Sequence, residues 1–179
     1  MNNFEFIPVD YASAGAIGEP GKRVFMIQGK RHDELIGVLV EKQQVELLAN
    51  QSIEFLDSLN LEFKEESVAT PKDFEQAGLL KPIEPKFRAS TMGLIFDPET
   101  QLVTLELREN PVDEEPDIQP EIDFSVDNID DQVIRFTMTR AQLRAMAVRG
   151  VESVNAGREP CPLCQGPMDL SGHICPRLN

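Results

Sequence analysis

Four residues close to the C-terminal end have the types and the spacing for metal chemistry. Cys161-Pro162-Leu163-Cys164 is followed, after eight residues, by His173-Ile174-Cys175-Pro176. Two cysteines separated by two residues can offer both sulfurs to one ion from a single tight turn. His173 and Cys175, two apart in an extended segment, project from the same side of the backbone. Gln165-Gly166-Pro167 and Ser171-Gly172 supply the chain reversal between the pairs. Three thiolates and one imidazole make the tetrahedral donor set that zinc prefers. The expectation is one zinc ion on Cys161, Cys164, His173 and Cys175. Four protein ligands leave no position open for water, so its role would be structural rather than catalytic. The competing reading is a flexible tail with three incidental thiols. It weighs less, because all three cysteines and one of the two histidines fall in this window. The single residue between His173 and Cys175 is the feature that departs from the usual spacing. The nucleobase-deaminase pattern fails, because its order is reversed and no glutamate follows His173.

Other chemistries find less support. His32 lies in a charged turn and is the one histidine outside the metal window. A Ser-His-Asp or Cys-His centre would have to use it, with no local signature, so an enzyme of those types is disfavoured. Gly18-Glu19-Pro20-Gly21-Lys22-Arg23 has glycines and cations but precedes a strand rather than a helix, and reads as a turn between strands. Arg140 and Arg144 share a helix face, with Arg149 opposite Arg140, and the simplest reading is solvated helix charges.

These motifs sit in a chain of ordinary composition. With 179 residues and 41% apolar side chains, one core is affordable. No run approaches the ~20 apolar residues of a membrane span. The start, Met1-Asn2-Asn3-Phe4, lacks the basic and apolar regions of a signal peptide, so a cytoplasmic protein is expected. The net charge of −14 is uneven: residues 111–131 hold nine acidic and no basic side chains, and residues 132–179 hold six basic and three acidic. An acidic body disfavours nucleic acid and anionic membranes as partners.

The elements that must position the motifs follow from periodicity. Strands are expected at Lys22–Gln28, Leu35–Val40, Phe87–Phe96, Gln101–Arg108 and Val133–Met138, with a further one at Tyr11–Ile17. Val45, Leu48, Ser52, Leu56 and Leu59 mark an amphipathic helix over residues 41–59. Thr139 and Gln142 form a capping box at the head of a second helix, whose apolar face is Leu143, Met146, Ala147, Gly150, Val151 and Val154 and whose stop is Gly157. Residues 60–86 read as a connector with one short helix, and 111–131 as a solvated, disordered insertion. The predicted fold is α+β: antiparallel sheet with two helices in a strands-then-helix pseudo-repeat, and no nucleotide-binding βαβ alternation. The expected division is an α+β domain over 1–157 and a zinc-ribbon-like tail over 158–179.

Several segments in order resemble a known family: Gly18-Glu19-Pro20-Gly21 with Phe25 and Gln28, Glu41-Lys42-Gln43-Gln44, Phe87-Arg88 with Thr91-Met92-Gly93-Leu94, and Cys161-Pro162-Leu163-Cys164 with Gly172-His173-Ile174-Cys175-Pro176-Arg177. The chain resembles the bacterial, largely actinobacterial, domain-of-unknown-function family numbered thirty-ninety. The resemblance implies this architecture, an acidic insertion and a cytoplasmic setting, and it names no reaction. The first functional expectation is a binding or adaptor module whose zinc-stapled tail docks a partner protein. The alternative is an enzyme or a sensor of a small phosphorylated metabolite, with a pocket near Gly18, Gly21, Arg88 and Thr91. Nucleic-acid binding by the tail ranks last.

Overall fold

The computed structural model describes residues 4–63, 78–109, 132–157, 161–166, 168 and 175–178. The acidic segment 111–131, most of the 60–86 connector and His173 lie outside the described residues. The described chain forms seven strands, β1 Phe4–Phe6, β2 Tyr11–Ile17, β3 Val24–Arg31, β4 Glu34–Val40, β5 Pro85–Asp97, β6 Leu102–Glu109 and β7 Val133–Thr139, and two helices, α1 Lys42–Glu62 and α2 Arg140–Asn155. The α+β expectation holds. β1 was not anticipated.

The strands make one sheet in the order β1-β7-β6-β5-β4-β3-β2. That order forces curvature. β1 and β2 lie at opposite edges, yet the link from Phe6 to Tyr11 spans five Cα steps, at most about 18 Å. Six interstrand gaps in a flat sheet would separate the edges by about 29 Å. The sheet therefore curls back on itself, and the link laces its ends together. Val9 N–H donates to Thr137 O on β7 (2.8 Å) and Asp10 N–H to Lys30 O on β3 (2.8 Å). Gly29 is required where the ends meet, because a Cβ there would lie 2.4 Å from the Phe136 ring.

Alternation fills the inside of the curl. On β6, Val103, Leu105 and Leu107 are buried while Leu102, Thr104 and Glu106 are half-buried. Phe136, Ile134 and Met138 of β7 and Phe25, Ile27, Ile36 and Val38 of β3 and β4 complete this core. α1 adds Val45, Leu48, Ala49, Ser52 and Leu56, and α2 adds Leu143, Met146, Ala147 and Val154, close to the predicted faces. At Gly150 the two helices and β2 approach closely: a Cβ would meet Val45 at 3.3 Å, Ala49 at 3.4 Å and Ala14 at 3.7 Å. The opposite face of β2 and β3 is covered by the chain after residue 78. There the Gln28 amide donates to Leu80 O (3.1 Å) and accepts from Leu80 N–H (2.8 Å), so this buried polar side chain is satisfied.

The pseudo-repeat is present as β2-β3-β4-α1 and β5-β6-β7-α2, each an antiparallel meander feeding a helix. The sheet is mixed rather than antiparallel throughout, because β4 pairs β5 and β7 pairs β1 in parallel. β4-α1-β5 is thus one parallel crossover, a local βαβ unit that strand periodicity alone could not reveal. The two strand-to-helix junctions use a glutamine in the same way. Gln44 Oε1 accepts from the Glu41 N–H (2.7 Å), and Gln142 Oε1 from the Thr139 N–H (2.9 Å). Gln44 Nε2 then donates to Ala89 and Ser90 O of β5, and Gln142 Nε2 to Val9 O just beyond β1. Each glutamine ties its helix start to the parallel neighbour of the strand before it.

The first helical residues diverge. Lys42 is exposed, but Arg140 is 3% exposed and donates to Asn60 Oδ1 (3.2 Å), Phe63 O (2.9 Å) and Gln101 Oε1 (3.1 Å). The expectation of a solvated charge is corrected for Arg140. Its position beside the C-terminus of α1 makes it the donor for that helix's unpaired end. Arg144 and Arg149 are surface partners of Asp57 and Glu152.

Candidate metal centre and adjoining clefts

The C-terminal cysteines lie in two short loops, each beginning Cys-Pro. In the first, the Gln165 N–H donates to Cys161 O (2.8 Å) and the Cys161 N–H to Gly166 O (2.8 Å), with Gln165 at φ +62° closing the turn. This folding aims the N–H groups of Cys164 and Leu163 at the Cys161 sulfur, and these bonds hold its thiol below the ordinary cysteine range. In the second loop the Leu178 N–H donates to Cys175 O (3.0 Å). Burial pushes the Cys175 thiol up, opposed by the N–H of Arg177. Arg177 Nη1 also donates to Leu163 O (2.8 Å), fastening one loop to the other.

The loops bring three sulfurs together. Those of Cys161, Cys164 and Cys175 all lie within 4.8 Å of one another, and Cys161 to Cys175 is 3.9 Å. None of the three is joined in a disulfide. A tetrahedral ion with metal–sulfur bonds near 2.3 Å separates its sulfurs by about 3.8 Å, so the spacing suits one shared metal ion. A cation among them would offset the burial that raises Cys175, since a coordinated thiol is deprotonated. Three of the four predicted ligands therefore converge; the fourth, His173, lies outside the described residues.

The predicted small-molecule residues are divided among three depressions. Gly21 and Arg88 line the same cleft, of about 680 Å³, together with Arg23, Glu41 and Lys42. Gly18 lines a second, with Lys81 and Arg149. Thr91 lies in an apolar groove between α1 and β5, with Leu47, Phe55 and Leu94. The turn between β2 and β3 is as predicted, with Gly18 at φ +101° and Gly21 at φ +96°, conformations that favour glycine. His32 is an exposed turn residue whose N–H is held by Asp10 (2.5 Å).

In the cleft with Gly21, Arg88 pairs with Glu41, whose carboxylate also caps α1. Arg23 Nη1 donates to Ser153 O (2.6 Å), and its guanidinium sits 5.3 Å from the Phe25 ring centre. Sequence reasoning noticed Arg23 only as a cation near a turn and missed Lys42. No local signal marks Lys42, because its place in the cleft depends on the parallel crossover from β4 through α1 to β5.

No helix among the described residues is long and apolar enough to cross a membrane. The chain belongs to the family described as "Protein of unknown function (DUF3090)", whose family model matches residues 4–175. Neither the curated proteins nor the solved structures hold a match to it.

Proposed function

We propose that the protein is a binding module whose C-terminal loops are stapled by one structural zinc ion and dock a partner protein. The observation that carries this reading is the convergence of Cys161, Cys164 and Cys175 at metal-ligand spacing. Sulfur donors select zinc over magnesium or calcium, and His173 completes a closed tetrahedral set. A closed set offers no site for a reacting water, so the ion folds the loops rather than performing chemistry. The docking half of the proposal is supported by what the loops expose. Leu163 is 45% and Leu178 72% exposed, one on each loop, joined through Arg177. Apolar tips held on a rigid frame are the kind of anchors that fill a partner's pocket.

The test is capture from native cells of three tagged forms: the wild type, Leu163→Ser with Leu178→Ser, and Cys161→Ser with Cys164→Ser. The leucine variant is expected to retain its metal. A protein held by the wild type and lost from both variants is the expected result. Equal capture by all three, or by none, would overturn docking and leave the metal site to its own measurement.

A further inference from the structure

The cleft at the head of α1 opposes the charge of the molecule around it. The chain carries a net charge of −14, yet Arg23, Lys42 and Arg88 face this cleft against the single carboxylate of Glu41. An excess of two positive charges on so acidic a protein focuses anions into one place. The N-terminus of α1 is not the attraction, because Glu41 already caps it. The cations themselves are, and they come from three separate elements: the turn before β3, the start of α1, and β5.

Their geometry suits an oxyanion. Arg23 is fixed in place by Ser153 O and by Phe25, and spends one of its five N–H donors on that carbonyl. Arg88 is oriented by Glu41, and Lys42 is exposed beside them. Two planar guanidiniums and an ammonium are the groups that grip a phosphate, the arginines by paired N–H bonds and the lysine as a point charge. The volume, about 680 Å³, exceeds what a bare phosphate fills, and Val24, Phe25, Val40 and Val154 supply an apolar wall. The ligand would thus carry an organic body as well as the charge. The position, beyond the end of β4 and at the start of the crossover helix to its parallel neighbour β5, is where open α/β units bind ligands.

We infer that this cleft binds a small molecule bearing a phosphate group, a function independent of the role of the C-terminal loops. The test is an amide NMR titration of the full, metal-loaded chain with inorganic phosphate and with adenosine monophosphate, using adenosine as the uncharged control. Both phosphates are expected to shift the amides of Gly21, Arg23, Lys42 and Arg88, the nucleotide at lower concentration, and adenosine alone far more weakly. Lys42→Glu, at an exposed position that does not threaten folding, should weaken both by about tenfold or more. Lys81→Glu, in a different depression, should leave them unchanged. Absence of saturable shifts at millimolar phosphate, or equal weakening by Lys42→Glu and Lys81→Glu, would overturn the inference. Binding of adenosine as tight as that of its monophosphate would do so too.

Discussion

Between Phe4 and Gly157 the chain hides large apolar side chains such as Phe136, Ile134, Leu105 and Met146, while around Cys161 the pattern is inverted. There Leu163 and Leu178 are exposed, and among the described residues after 160 the buried side chains are Cys161 and Cys175. The body buries what water rejects. The loops bury what a metal accepts. A segment this short cannot bury enough apolar surface to offset the entropy of ordering it, and a cluster of three cysteines at metal-ligand spacing stands where a core would be.

The comparison breaks most sharply if the two regions can be damaged separately. Cys161→Ser with Cys164→Ser should remove a metal-binding contribution of roughly 10 kcal/mol from the loops. Rapid proteolysis after residue 157 is the readout, with the urea midpoint of the body unmoved. Loss of the body's cooperative transition in that variant would show that the loops are part of one core. The reverse experiment is Arg140→Met. It leaves the acceptors on Asn60, Phe63 and Gln101 without their donor and should cost the body about 3 kcal/mol in urea denaturation, with metal content unchanged.

Smaller effects sharpen the comparison inside the body. Gln44→Ala and Gln142→Ala remove corresponding bridging bonds at the two junctions and should each cost about 1 kcal/mol. A difference larger than about 1 kcal/mol between them would mean the halves are not equivalent where they look so. Glu41→Gln breaks an exposed pair with Arg88 and should change stability by about 0.5 kcal/mol or less. By removing the single carboxylate facing the cleft, it should also tighten phosphate binding in the titration described above.

What could be read from sequence was local. The faces of α1 and α2 follow from a 3.6-residue period, and the Thr139–Gln142 capping box is a spacing of three residues. The thiol cluster was legible for the same reason, since each loop is a few residues long, the first placing the sulfurs of Cys161 and Cys164 and the second that of Cys175. Long-range pairing was not. Phe4-Glu5-Phe6 is too short to show a period, and it becomes a strand because β7 has an open edge beside it. The parallel pairing of β4 with β5 depends on where the chain returns after residue 62, which no local pattern encodes. Arg140 looked like any helix-surface charge, and its burial depends on the end of α1, some eighty residues earlier. The cleft was half legible. Gly21 and Arg88 were singled out, but their grouping with Arg23 and Lys42, and their separation from Gly18 and Thr91, are made by the curl of the sheet.

The most direct test of the central claim is X-ray absorption at the zinc edge on the full chain, purified reduced and never exposed to chelator. The expected result is close to one zinc per chain with three sulfurs near 2.3 Å and one nitrogen near 2.0 Å, about the distances of a closed structural site. Protein with its thiols reduced but with negligible metal, or with a shell of oxygen and nitrogen alone, would contradict it.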